Sequence, residues 1–163
     1  MAKVELDDTI AEGKAFLREN AEKGTECPCC GQFVKIYRRK LNSAMACALV
    51  YLYKRENREA DEGWIHVENY LKSQNIPASI RGDFPKLRYW GLIEQFEGQR
   101  EDGSTRVGLY RITEKGELFV EGQLAVNKYI LLYNQKLLGR DGDATTIQDA
   151  LGDKFNYEEL MKG

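Results

Sequence analysis

The stretch from Leu87 to Gly116 constrains the fold more than any other part of this chain of 163 residues. Gly91 stands where a helix end needs a residue that tolerates a left-handed φ. Residues 98–105 are polar and include an Asp-Gly pair, which is typical of a hairpin tip, and residues 107–112 alternate partially, as a returning strand does. Thr113 can cap a following helix. The stretch therefore predicts a helix, a two-stranded hairpin and a second, capped helix.

Two segments of this stretch also resemble a known superfamily. The residues LRYWGLIE at 87–94 resemble the end of a recognition helix that runs into the wing of a winged helix-turn-helix. The residues YRITEKG at 110–116 resemble the strand-to-helix exit of MarR- and PadR-like regulators. The resemblance covers residues 41–122 and implies an α+β fold. Winged helices bind DNA, RNA or other proteins, so the resemblance implies a binding function without selecting one.

The rest of the chain is expected to flank this winged helix. Residues 1–40 are predicted to form an N-terminal helix, a Cys-rich turn and a basic strand, with Asp7 or Asp8 as the helix cap and Gly24 as its end. Residues 123–163 are predicted to form a strand and helices packed on the domain. Within them, 128–138 reads as one long strand or a strand pair. It is expected to complete a sheet with the strand after the Cys turn, or alternatively to pair between subunits, and 139–143 reads as a turn.

The charge is unevenly distributed along the chain. The net charge is −2, but residues 33–115 carry 15 basic and 11 acidic groups, whereas residues 1–32 carry 4 basic and 7 acidic groups. Residues 116–163 carry 5 basic and 8 acidic groups. The predicted winged helix is therefore mildly basic between two acidic flanks, which permits phosphate contact without demanding it.

The segment from Cys27 to Gly31 contains a Cys-x-x-Cys pair, Cys27 and Cys30, followed by glycine. Such a turn can direct two thiolates at one zinc ion, but structural zinc takes four ligands. The other two ligands could come from Cys29, Cys47, His66 or a second copy of the chain, which makes a homodimer one option. A reduced structural turn and a redox or nucleophilic role remain alternatives.

Ten side chains are candidates for contact with nucleic acid. Four form the densest basic cluster of the chain, four lie on the predicted third helix, and two flank the hairpin tip. Each group has an alternative: a solvated edge strand that discourages pairing, ordinary surface charge, or a solvated hairpin tip. In chain order, they are Lys35, Arg38, Arg39, Lys40, Ser79, Arg81, Lys86, Arg88, Arg100 and Arg106.

The predicted third helix, residues 78–90, departs from the winged-helix pattern. Gly82 and Asp83 interrupt it, and Pro85 removes a backbone donor, which is tolerated best near a helix start. We expect a short turn over 79–81 and then a helix that Asp83 caps. Such a bent element presents fewer side chains to base edges.

The sequence contains no P-loop, no G-x-S-x-G and no H-E-x-x-H motif, and its single histidine leaves one candidate for imidazole catalysis. We therefore expect no enzyme. No run of 18 apolar residues suggests a membrane span, and the N-terminus lacks the apolar segment of a secretory signal, so a cytoplasmic location is expected. The layout resembles small phage-encoded proteins. The expected function is DNA binding in regulation; the alternative is a protein-interaction module that docks on a host complex.

Overall fold

The computed structural model describes residues 4–55, 62–97 and 108–162. The chain forms two compact units, the first made of residues 1–40 and 129–141, the second of residues 41–128 and 142–163. The predicted C-terminal extension is thus divided between the units. Helices and three small antiparallel sheets make up the described part of the chain, as an α+β class requires.

The first unit begins with helix α1 (Ile10–Asn20). The prediction of Asp7 or Asp8 as its cap was wrong, because the Thr9 side chain accepts the hydrogen bond from the N–H of Glu12, at 3.1 Å. Asp8 instead accepts from the N–H of Glu5 at 2.7 Å and stabilises the turn before the helix. The helix also ends at Asn20, before the predicted Gly24. Three short strands follow: β1 (Thr25–Glu26), β2 (Phe33–Val34) and β3 (Tyr37–Lys40).

Strand β3 belongs to a sheet of order β3-β7-β8, with β7 over Val126–Tyr133 and β8 over Lys136–Thr145. The antiparallel register runs from Tyr37 opposite Leu132 to Lys40 opposite Tyr129. The expected pairing of this C-terminal segment with the strand after the Cys turn is therefore confirmed.

The predicted turn at residues 139–143 was wrong, because these residues continue strand β8. The chain reverses earlier, at Asn134 and Gln135, whose φ values are +49° and +62°. Two consecutive positive φ angles match the right-handed twist of a tight hairpin. The Gly and Asp residues at 139–143 suggested a turn by composition, but pairing within the sheet determines their conformation.

The second unit contains a longer series of elements. Two antiparallel strands and an additional short strand form a three-stranded sheet in it. In chain order the elements are α2 (Ser43–Lys54), β4 (Ile65–His66), α3 (Val67–Ser73), α4 (Ala78–Arg81), a 3₁₀ helix (Phe84–Trp90), β5 (Ile93–Gln95), β6 (Leu109–Ile112), α5 (Glu114–Val120), α6 (Ile147–Leu151) and α7 (Tyr157–Lys162).

Helix α2 is the centre of the second unit. The Asn42 side chain caps it by accepting from the N–H of Met45 at 2.9 Å. The helix is apolar on most of its circumference and contacts α4, α5, α6, α7 and the 3₁₀ helix. A helix that is hydrophobic nearly all round must be buried. Its buried residues are Met45, Ala46, Cys47, Ala48, Leu49, Val50 and Leu52.

The predicted break in the third helix is confirmed. Helix α4 ends at Arg81, and a separate 3₁₀ helix begins at Phe84 with Pro85 in its first turn. Asp83 lies before this helix, but its side chain makes no capping bond there; its carbonyl accepts from the N–H of Lys86 at 3.1 Å. Gly91 ends the helix with φ +77°, the left-handed conformation expected from the sequence.

Candidate nucleic-acid interface and cysteine turn

The basic cluster of the first unit lies on and beside an edge strand. Lys35, Arg38, Arg39 and Lys40 are all exposed. Because side chains alternate along a strand, Arg38 and Lys40 share one face of the sheet, whereas Arg39 shares the other with Tyr37. The strand therefore presents positive charge in both directions perpendicular to the sheet.

Only part of this positive charge is neutralised locally. The Nε of Arg38 donates to Oδ2 of Asp141 at 2.9 Å, and its guanidinium lies 3.6 Å from the ring centroid of Tyr129. The guanidinium of Arg39 lies 5.2 Å from the ring centroid of Tyr37, a cation–π contact that leaves the charge intact. Within the described residues, Lys35 and Lys40 form no ion pair. The cluster thus retains a net positive charge.

The basic side chains of the third helix region are instead engaged by neighbours in the second unit. Nη1 of Arg81 lies 3.1 Å from Oε1 of Glu68, and the Arg81 side chain is only 14% exposed. Lys86 Nζ lies 2.7 Å from Oδ1 of Asp83. These two pairs place a carboxylate beside each cation, which weakens the attraction of both cations for phosphate.

Arg88 and Ser79 complete this part of the chain. Nη1 of Arg88 donates to Gln95 Oε1, and Nη2 donates to the hydroxyl of Tyr89, both at 3.0 Å. Ser79 is exposed on α4. The predicted contacts Arg100 and Arg106 lie outside the described residues. Of the ten predicted contact residues, the four of the basic cluster therefore lie together, on and just before strand β3.

A cleft of about 590 Å³ in the second unit has the opposite charge character. Glu62, Glu94, Glu114 and Glu117 lie around it, together with Arg111. The Nε of Arg111 donates to Glu94, and its guanidinium lies 4.4 Å from the ring centroid of Trp64. Four carboxylates and one arginine leave an acidic surface that repels phosphate.

The cysteine turn joins the paired strands β1 and β2. The N–H of Cys27 donates to the carbonyl of Gln32 at 2.7 Å, and the N–H of Gly31 donates to the carbonyl of Cys27 at 2.9 Å. Gly31 has φ +77°, which glycine adopts without strain. Cys29 and Cys30 are exposed on this turn, whereas Cys27 is half-buried.

The thiol pKa is shifted in opposite directions in the cysteine turn and in the core of the second unit. The backbone N–H groups of Cys30 and Cys29 donate toward the Cys27 sulfur and, with the Cys30 thiol, lower the pKa of the Cys27 thiol below its usual range. Burial raises the pKa of the Cys47 thiol in α2 to about 11. His66 caps α3, since its Nδ1 accepts from the N–H of Asn69 at 3.3 Å.

No group of three or more His, Cys, Asp or Glu side chains within residues 4–55, 62–97 and 108–162 is placed to hold a metal ion. Cys27 and Cys30 share one turn, but Cys47 is 1% exposed in the core of the second unit. A metal at the turn would need ligands from elsewhere.

The acidic residues that pair with the predicted basic contacts were not predicted from the sequence. Glu68 precedes Arg81 by 13 residues and Asp141 follows Arg38 by 103 residues, so neither pair has a local signature. Lys86 and Asp83 are three residues apart, and that spacing in a helical segment could have indicated the pair.

Comparison with family models, with curated proteins and with solved structures found no match. Among the helices that the structure describes, none has the length and apolar character needed to cross a bilayer.

Proposed function

We propose that this chain is a DNA-binding regulator of the winged-helix type, and that the basic strand region Lys35–Lys40 makes most of its phosphate contacts. The order of elements in the second unit supports the fold part of this proposal. A buried helix, a short strand, a helix, a broken third helix and two hairpin strands follow one another, with sheet order β4-β6-β5. The same order is expected from the resemblance in residues 41–122.

The observation that carries the DNA proposal is the uncompensated charge of the basic strand region. Four exposed cations lie within six residues, and among the residues that the structure describes only Arg38 of the four is paired with a carboxylate. Phosphate contacts of exposed Lys and Arg supply most of the affinity of non-specific DNA binding. Tyr37, 44% exposed, adds an aromatic surface beside Arg39.

The third helix then contributes less than it does in a typical winged helix. Arg81 and Lys86 already have carboxylate partners, and the break between α4 and the 3₁₀ helix shortens the surface available to a groove. Ser79 and Arg88 remain the candidates for additional contacts in this element. We therefore propose that the protein binds duplex DNA chiefly through the backbone, with limited reading of base edges.

The test compares two double variants by fluorescence anisotropy with a labelled random duplex. Arg39→Ala with Lys40→Ala removes two charges from the basic strand, and Lys14→Ala with Arg18→Ala removes two exposed charges from α1 of the same unit. We expect the first variant to bind at least about tenfold more weakly than the second at low salt, since each lost phosphate contact reduces affinity. Equal affinities would contradict the role of the basic strand.

The acidic cleft favours a second candidate function, a protein-interaction module. Glu62, Glu94, Glu114 and Glu117 surround Arg111 in a concave surface, and Phe96 is 37% exposed in the same unit. A basic partner segment would complement such a cleft.

Salt dependence separates the two functions. Affinity for DNA should fall by orders of magnitude between about 50 mM and 200 mM salt if several phosphates are contacted. Absence of DNA binding even at the lower salt, together with binding of a purified host protein that Glu94→Gln with Glu114→Gln abolishes, would favour the interaction module.

A further inference from the structure

The cysteine turn has no role in the DNA proposal, yet its geometry is closely defined. Strands β1 and β2 pair with Thr25 opposite Val34 and Glu26 opposite Phe33. Two backbone hydrogen bonds then close the turn, from Cys27 to Gln32 and from Gly31 to Cys27. A short hairpin closed in this way fixes the backbone that carries Cys27 and Cys30 and holds both at its tip.

We propose that Cys27 and Cys30 form half of a tetrahedral zinc site, and that the same two residues of a second copy of the chain complete it. Zinc takes four ligands in structural sites, and thiolate sulfur is a preferred donor. Two such hairpin tips related by a twofold axis supply four sulfurs to one ion. The site is incomplete without the second copy, so zinc binding and dimer formation are one event.

The chain itself offers few further ligands. It contains four cysteines and one histidine, and all five lie within the described residues. Cys47 is 1% exposed inside α2. The His66 Nδ1 accepts a hydrogen bond at the start of α3. Neither side chain is available to an ion at the hairpin tip without loss of local structure.

Cys29 is the remaining thiol of the chain, and it stands directly before Cys30. The two residues between Cys27 and Cys30 give the Cys-x-x-Cys spacing typical of structural zinc turns, whereas Cys29 is only two positions from Cys27. Cys29 therefore remains outside the proposed set of ligands, and its substitution provides a matched control within the same turn.

The surface of the hairpin suits contact with an identical surface. Phe33 of β2 is 58% exposed, although its ring covers Gly24, where an added Cβ would lie 2.4 Å from the ring. An exposed phenyl group on this hairpin offers a second copy an apolar contact. Glu26 is the nearest acidic residue in the sequence, and the four thiolates carry enough negative charge to neutralise Zn²⁺ without it.

Binding converts the four thiols to thiolates and releases their protons to solvent, so affinity should fall as pH decreases. No electron transfer is involved, and the cysteines stay reduced. The interaction is therefore distinct from disulfide formation and does not need an oxidant.

The test uses full-length protein, reduced and stripped of metal, with zinc chloride added in steps. Zinc per chain is measured after removal of excess ion, and the molar mass is measured by light scattering. We expect half an equivalent of zinc per chain and the mass of two chains. A chelator should return the mass to that of one chain. Replacement of zinc by Co²⁺ should give the visible absorption of a tetrahedral thiolate site.

Three variants decide which residues bind. Cys27→Ser and Cys30→Ser should each abolish both zinc uptake and the larger mass, whereas Cys29→Ser and Cys47→Ala should retain both. One zinc per chain on a single-chain species would overturn the shared site, as would no uptake at all. Equal loss with Cys29→Ser would overturn the assignment of ligands. Because none of these readouts involves DNA, failure here is distinguishable from failure of the DNA proposal.

Discussion

Nη1 of Arg81 lies 3.1 Å from Oε1 of Glu68, and this contact ties α4 to the preceding helix α3. Arg81 is 14% exposed at its side chain, and its buried Nε has no hydrogen-bond partner within the part of the chain that the structure describes. A guanidinium in this environment depends on its one carboxylate. The contact therefore stabilises the packing of α4 on α3. It leaves Arg81 less available to contact DNA phosphate.

Substitution of Glu68 by Ala should destabilise the protein by about 1–3 kcal/mol, because it leaves a largely buried cation without its partner. Lys72→Ala is the matched control. Lys72 lies 3.8 Å from the same carboxylate, but both side chains are more than half exposed, so its loss should cost less than about 1 kcal/mol. Urea denaturation followed by circular dichroism measures both; equal costs would show that Arg81 does not need Glu68.

Gly116 in α5 lies against the backbone of the chain before β5. A Cβ at this position would lie 2.1 Å from the carbonyl oxygen of Leu92 and 2.8 Å from Cγ1 of Ile112. Gly116→Ala should therefore cost about 3 kcal/mol or more, since backbone atoms must move.

Gly13 provides the opposite control for that substitution. It lies inside α1, and no atom is within 4 Å of an added Cβ. Gly13→Ala should stabilise the protein by about 0.5–1 kcal/mol through helix propensity. Thermal unfolding of the two variants should shift the midpoint in opposite directions; a Gly116→Ala midpoint equal to that of the parent would contradict the close approach at Leu92.

The cysteines should differ in their reaction with iodoacetamide. The pKa of Cys27 is lowered, so its thiolate is present at a lower pH than that of an ordinary cysteine, and the pKa of Cys47 is raised to about 11. In metal-free protein, Cys27 should be alkylated at a lower pH than Cys47. Cys47 should remain unmodified near neutrality. Peptide mapping by mass spectrometry over a pH series measures this. Modification of Cys47 before Cys27 would contradict the assigned environments.

Local signals in the sequence predicted several helix starts and ends, although neither Asp7 nor Asp8 caps α1 and the Asp83 side chain does not cap the 3₁₀ helix. Thr113 caps a helix as expected, and Asn42 caps α2 in the same way, because a cap depends on residues three positions away. Thr146 forms a capping box with Asp149, which is also a contact between residues three positions apart. Gly91 was predictable for the same reason, since only the local backbone determines its positive φ.

Features that depend on distant residues were harder to predict. Residues 139–143 have the composition of a turn but lie in β8, because Asn134 and Gln135 reverse the chain first. The candidate DNA contacts were chosen by charge alone. Sequence could not show that Glu68 engages Arg81 while Lys40 has no acidic partner among the described residues, since these outcomes depend on how the elements pack.

The proposed function is tested most directly by the salt dependence of duplex binding. The measurement is log Kd against log salt concentration for the parent, for Arg39→Ala with Lys40→Ala, and for Lys14→Ala with Arg18→Ala. We predict steep dependence for the parent, a slope smaller by about 2 for the basic-strand variant, since each phosphate contact contributes about 0.9, and an unchanged slope for the α1 variant. No binding by the parent at low salt, or the same slope for all three proteins, would contradict the account.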